Sequence, residues 1–147
     1  MRIPQLSVTI ANQPGHLIAP CRLLADAGIN ILTLSLADRQ EVGILRIIVR
    51  DSHRACEVLQ AAGHAVCVHD VLAIEVRDQP GGLVDLLKIF EDSGINVESM
   101  YAFTARLGDS AVMVFCFDDL DAAIFALARA GINPVSGVTL YDRLDEE

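Results

Sequence analysis

The sequence predicts an α+β fold built from two similar units in tandem. Residues 12–31 and 78–97 are identical at eight of twenty aligned positions, whereas unrelated segments of average composition share about one. Both units show the same order of predicted elements, and 52% of the 147 residues are hydrophobic, which indicates a globular chain. We therefore predict one domain over residues 1–69 and a second over residues 70–147.

Each unit begins with a strand and a helix. Residues 6–10 and 72–76 alternate apolar and polar side chains, which is typical of a half-buried strand. Gln-Pro-Gly then predicts a turn, and apolar residues recur every three or four positions, which indicates a helix. Gly28 and Gly94 end these helices, because glycine accepts the left-handed conformation that follows a helix. Pro20 falls in the predicted second turn of the first helix, where we expect a kink or a lost hydrogen bond.

Two strands, a helix and a short strand complete each unit. The predicted strands cover residues 30–36 and 43–49 in the first unit, and 97–103 and 111–117 in the second. The second helix is predicted over about 51–62 and 119–130, and the last strand near Val66–Val68 and Val138–Leu140. The offset between the units changes from 66 to 68 at the hairpin, so the second hairpin carries two extra residues.

The order βαββαβ, present twice, predicts two ferredoxin-like domains. Each has an antiparallel four-stranded sheet with both helices on one face. Because almost no linker separates the units, we expect the two domains to pack as a fixed pseudo-dimer.

Charge and composition argue against several functional classes. The net charge of −9 argues against binding to nucleic-acid phosphates, which requires a basic surface. No segment approaches 18 consecutive apolar residues, so we expect no membrane span. The N-terminus lacks the apolar region of a signal peptide, so the expected location is cytoplasmic.

Histidine and cysteine residues suggest a metal site only weakly. His53 and Cys56 lie on a predicted helix, whereas His64, Cys67 and His69 lie around a predicted strand whose residues 64 and 67 face opposite sides. The four cysteines do not recur between the units, which favours buried, reduced thiols. We expect neither a metal nor a cofactor.

Catalysis and RNA binding are the alternative functions. The sequence contains no GxSxG, no Walker loop and no HExxH motif, so no catalytic residues are assigned. Phe115-x-Phe117 resembles the aromatic platform of RNA-recognition motifs, which share the βαββαβ order. However, Asp118 and Asp119 follow directly, so we interpret the two phenylalanines as core residues.

The repeated Pro-Gly turn can bind a small anion. A helix N-terminus has backbone N–H groups without intrahelical partners and a partial positive charge, so it attracts carboxylates. Glycine removes the side chain that would keep a ligand off the backbone. Asn12 or Asp78, two residues before the proline, can either cap the helix or face a ligand. A free α-amino acid, with a carboxylate and an ammonium group, fits this combination.

The run x-P-G-x-L, followed after ten residues by G-I-N-[IV], resembles the ACT domain in both units. This family comprises small βαββαβ regulatory modules, many of which bind amino acids, and the resemblance covers nearly the whole chain. It implies a non-catalytic regulatory or sensor protein with its ligand at the seam between two ACT-like domains. In the serine-sensing branch a histidine precedes the loop asparagine by two positions, whereas this chain has Ile10 and Val76 there.

The resemblance implies ligand contacts from the loop and from the residues that open the second strand. In the first unit these are Asn12, Pro14, Gly15, His16, Leu17, Asn30 and Ile31. In the second unit they are Asp78, Pro80, Gly81, Gly82, Leu83, Asn96 and Val97.

These residues predict two composite sites, one joining the Asn12 loop to Asn96 and the other joining the Asp78 loop to Asn30. Since Asp78 repels a carboxylate and Asn12 does not, we expect unequal affinities. Docking on a metabolic enzyme and homodimerisation are compatible with this interpretation and stay open, as do other small metabolites as ligands.

Overall fold

The structure is a computed structural model that describes residues 2–145. Met1, Glu146 and Glu147, which the predicted domains include, lie outside the described residues. The chain divides into two compact units. The N-terminal unit comprises Pro4–His69, and the C-terminal unit comprises residues 70–145 together with Arg2 and Ile3. None of the helices within residues 2–145 is long and apolar enough to cross a membrane.

The N-terminal unit has the predicted βαββαβ order. Its elements are β1 (Ile3–Ala11), α1 (Ile18–Asp26), β2 (Thr33–Arg39), β3 (Val42–Ile48), α2 (Ser52–Ala61) and the first residues of β4 (Ala65–Arg77). The strand order is β2-β3-β1-β4, and β3 is antiparallel to both of its neighbours. Alternate residues of β1 pack against Leu24 of α1 and Leu59 of α2, so both helices cover the same face.

The C-terminal unit repeats the arrangement with one change at its end. After the remainder of β4 come α3 (Gly82–Asp92), β5 (Val97–Leu107), β6 (Ser110–Phe117), α4 (Leu120–Arg129) and α5 (Gly137–Asp145). The strands are antiparallel in the order β4-β6-β5. Phe90 of α3 and Leu127 of α4 pack with Phe115 and Phe117 of β6 in one core.

The predicted last strand near Val138–Leu140 is wrong, because these residues lie in α5. The backbone makes a single bridge instead, in which the Val135 N–H donates to the Ala73 carbonyl at 2.8 Å. Helix α5 then begins after Ser136, whose Oγ accepts from the Thr139 N–H at 3.1 Å. The helix contacts β5 and buries Leu140. A serine cap and a buried apolar residue therefore favour a helix over a short edge strand.

The position of Pro20 also differs from the prediction. Helix α1 begins at Ile18, so Pro20 lies in its first turn, where a backbone N–H has no intrahelical acceptor. Proline at this position therefore removes no intrahelical hydrogen bond and requires no kink. In the C-terminal unit α3 begins at Gly82, which corresponds to His16 at the offset of 66, so α1 starts two residues later than its counterpart.

Aspartate caps stabilise the second helix of each unit. The Asp119 side chain accepts from the Ala122 N–H at 3.0 Å, as Asp51 does from the Arg54 N–H at 3.1 Å. We expect Asp119→Ala to lower the free energy of unfolding by about 1 kcal/mol, measured by urea denaturation. Asp109→Ala, in the exposed turn between β5 and β6, is the control, and an equal loss in both variants would contradict a capping role.

Candidate functional site

The two Pro-Gly loops have the same backbone conformation. The Gln13 N–H donates to the Ala11 carbonyl at 3.0 Å, and the equivalent Gln79 N–H donates to the Arg77 carbonyl at 2.9 Å. The glycine that follows the proline has φ of +86° in both loops, a conformation that L side chains rarely adopt. The sequence repeat is therefore a structural repeat at the predicted site.

Both helices after these loops begin without a side-chain cap. The cap residues are Leu17 for α1 and Gly81 for α3, and neither makes a side-chain hydrogen bond that caps its helix. Asn12 does not cap α1, because its Nδ2 donates to Asp38 Oδ1 at 3.0 Å and to the Gln40 carbonyl at 2.8 Å. The partial positive charge of each helix end is thus left for a ligand or for water.

The C-terminal loop carries an ion pair that the sequence did not predict. Arg106, near the end of β5, contacts the Asp78 carboxylate. Its equivalent in the N-terminal unit is Asp38, at the offset of 68 that the hairpin insertion produces. The offset of 68 can be read from the sequence, but neither Asp38 nor Arg106 belongs to the Pro-Gly motif from which the site residues were predicted.

Each loop borders a cavity of a size suited to a small molecule. In the C-terminal unit a cavity of about 360 Å³ is lined by Val76, Arg77, Asp78, Gln79, Pro80, Leu83, Ala111 and Met113. In the N-terminal unit a cavity of about 470 Å³ is lined by Asn12, Gln13, Pro14, Gly15, Leu17 and Ile18. Each cavity therefore combines polar loop groups with apolar side chains.

His16 and Gly82 occupy equivalent positions but have different environments. The His16 ring is hydrogen-bonded to the Gln13 side chain within its own loop. Gly82 is buried, and a Cβ atom added to it would lie 2.2 Å from the Arg77 carbonyl oxygen. The absent side chain of Gly82 thus makes room for the chain's own backbone.

The residues predicted to open the second strand lie at the other end of the first helix. Asn30 and Ile31 precede β2, which begins at Thr33, so the prediction that they open this strand is wrong. Asn96 directly precedes β5, its N–H donates to Asp118 Oδ1 at 3.1 Å, and Val97 packs against the core. The pairing of each loop with the asparagine of the other unit stays a prediction.

Two alternative sites can be assessed from the geometry. Within residues 2–145 no group of three or more histidine, cysteine, aspartate or glutamate residues is placed to hold a metal ion. Phe115 and Phe117 are buried and their rings stack on each other, with centroids 5.8 Å apart. The interpretation of these phenylalanines as core residues is confirmed, so they offer no exposed platform for a base.

The chain resembles one protein family and several solved structures. The model of the ACT domain pair matches residues 1–135. A protein from Bacteroides thetaiotaomicron shares 30% identity and a TM-score of 0.87, with 96% of each chain covered. The ligand-free regulatory subunit of aspartate kinase from Thermus thermophilus shares 17% identity and a TM-score of 0.63, with 87% of this chain and 92% of that chain covered. No curated protein matches this chain significantly in sequence.

The match over residues 1–135 includes both Pro-Gly loops and ends before α5. The relative from Bacteroides thetaiotaomicron aligns over nearly the full length of both chains. The chain therefore belongs to the ACT domain family, as a pair of ACT domains.

Proposed function

We propose that this protein is a non-catalytic regulatory module that binds a free amino acid at its Pro-Gly loops. The observation that supports this most directly is that α1 and α3 both begin next to a cavity without a side-chain cap. Such helix ends attract carboxylates. The other two ACT helices, α2 and α4, are capped by Asp51 and Asp119, so the uncapped ends are specific to the loops.

The size and lining of the cavities support a small, partly apolar ligand. In the C-terminal cavity, Val76, Leu83 and Met113 provide apolar surface beside the polar loop. Apolar walls with a few polar groups are typical of small-molecule sites. An amino acid with an apolar side chain fits this lining better than a nucleotide, whose phosphates require several basic groups.

A thermal-shift screen of the common amino acids tests this function. A ligand at one hundred times its dissociation constant stabilises the folded state by about 2.7 kcal/mol. For a chain of this size we expect the midpoint of thermal unfolding to rise by several degrees. Isothermal titration of each amino acid that gives a shift then determines the dissociation constant and the number of sites.

Two variants locate the binding site. We expect Pro80→Ala and Pro14→Ala each to change the ligand-induced rise of the unfolding midpoint that arises from the loop in which it lies. Val138→Ala, at an exposed position of α5, is the control. A shift that both proline variants retain unchanged would place the ligand elsewhere. The absence of a shift with every common amino acid would contradict the proposed function.

Docking on a metabolic enzyme is the second part of the proposal. The solved aspartate kinase regulatory subunit is a separate chain of similar extent, 92% of which is covered by this chain. A protein of this size can thus act as a subunit of a larger assembly. Homodimerisation stays a prediction, which size-exclusion chromatography with light scattering would test.

A further inference from the structure

The charged groups beside the two loops are reversed between the units. Asp38 pairs with Gly43 in the first hairpin, and Arg106 pairs with Ala111 in the second, so the two charged residues occupy the same register position. Asp38 accepts from the Asn12 amide, whereas Arg106 contacts the Asp78 carboxylate. The same position therefore carries a negative charge in one unit and a positive charge in the other.

The Asp78–Arg106 ion pair lies largely in solvent beside the C-terminal cavity. The Arg106 side chain is 58% exposed and the Asp78 side chain 57%. Exposed ion pairs contribute little to stability, so a ligand that replaces their contact loses little. Asp78 itself lines the cavity, and Ala111, the residue opposite Arg106 in the hairpin, lines it as well.

We propose that the Asp78–Arg106 pair is the element that recognises the charged groups of an α-amino acid. The ligand's ammonium group donates to the Asp78 carboxylate, and the Arg106 guanidinium donates to the ligand's carboxylate. Insertion of the ligand thus replaces one ion pair by two charge-assisted contacts. This inference rests on the proposed function and adds the residues that select a zwitterion.

The N-terminal unit lacks this combination at the equivalent positions. The Asn12–Asp38 pair carries one negative charge and no positive one. It suits the ammonium group of a ligand but provides no cationic side chain for the carboxylate, which has only the α1 N-terminus. The C-terminal loop is therefore the site of higher affinity for a zwitterion, and Arg106 removes the repulsion expected from Asp78 alone.

The test compares three forms of one ligand by isothermal titration calorimetry. The probes are the amino acid found in the screen, its α-carboxamide, which lacks the carboxylate, and its des-amino acid, which lacks the ammonium group. In the wild-type protein both analogues are expected to bind roughly tenfold more weakly or worse. Arg106→Gln is expected to reduce the preference over the carboxamide to what the α3 N-terminus alone provides, and Asp78→Asn to abolish the preference over the des-amino acid.

The control is Arg2→Gln, because Arg2 forms an exposed ion pair with Asp121 in the same unit. This variant is expected to retain both preferences, and Arg106→Lys to retain part of the first. If Arg106→Gln prefers the amino acid over its carboxamide as strongly as the wild-type protein does, the inference is overturned while the proposed function stands.

A second measurement keeps the inference testable if no amino acid binds. Sodium acetate is then titrated while the ¹⁵N resonance of the Arg106 side chain is followed, with sodium chloride as the reference. A saturable acetate-specific shift supports carboxylate recognition by Arg106 even though the proposed function fails. Equal responses to acetate and chloride overturn the inference as well.

Discussion

Replacing Phe90 by alanine is expected to lower the free energy of unfolding by about 3–5 kcal/mol. The Phe90 ring is buried and packs edge-on against Phe117, with centroids 4.8 Å apart, and at 5.8 Å from Phe115. Its removal leaves a cavity between α3 and β6 and also loses the aromatic contacts. Guanidinium denaturation followed by circular dichroism measures the change.

Phe125→Ala is the matched control, because it makes the same substitution on a helix of the same unit. Phe125 is 64% exposed, and the Arg129 guanidinium lies over its ring, 5.8 Å from the ring centroid. An exposed contact of this kind contributes about 0.5–1 kcal/mol. Similar losses in the two variants would contradict the assignment of Phe90 to the core.

Gly82→Ala is expected to destabilise the protein by about 3 kcal/mol, because the added methyl group cannot fit. A Cβ atom at this position lies 2.2 Å from the Arg77 carbonyl oxygen and 3.1 Å from the Arg77 carbonyl carbon. These are backbone atoms, so relief requires the loop to move away from the start of α3. We expect the same variant to weaken ligand binding at the Asp78 loop in the thermal-shift assay.

Gly15→Ala separates this clash from backbone strain. Gly15 has φ of +86°, but a Cβ atom added there meets nothing within 4 Å. The free energy of unfolding of Gly15→Ala is therefore expected to fall by only about 1–2 kcal/mol, which is the cost of placing a residue with a Cβ atom in the left-handed conformation. If Gly82→Ala lowers the free energy of unfolding no more than Gly15→Ala does, the close approach of Gly82 to the Arg77 carbonyl is contradicted.

The two loops differ in the residues beside them. Gly82 allows α3 to begin against the Arg77 carbonyl, whereas His16 stands at the equivalent position and α1 begins two residues later. The loop backbones are alike, but the helix starts and the charged partners, Asp38 and Arg106, differ. The duplication therefore retains the loop conformation and changes the helix starts and the charged groups beside it.

Much of the fold follows from local patterns. The alternating run over residues 6–10 lies within β1, and the helical periodicity after Pro80 corresponds to α3. Gly28 and Gly94, which were predicted to end helices, have φ of +73° and +67°. These features depend on side-chain alternation and on backbone sterics within a few residues, so one sequence is sufficient to predict them.

The end of the second unit could not be predicted in this way. Val138–Leu140 is a short apolar run that suits a strand or a helix equally well. The outcome depends on the Ser136 cap and on the burial of Leu140 as α5 contacts β5. Ser136 could have indicated the start of a helix, but the sequence does not show that the helix packs against β5.

By itself, the sequence determined the duplication, the βαββαβ order of the first unit, the aromatic core and the position of the two loops. Only the tertiary structure decided that Asn12 is held by Asp38, that Asp78 is paired with Arg106, and that Gly82 lies against the Arg77 carbonyl. The physical reason is distance along the chain. Periodicity and turn chemistry act between near neighbours, whereas Asp78 and Arg106 meet only because β6 pairs with both β4 and β5, which brings the hairpin to the loop.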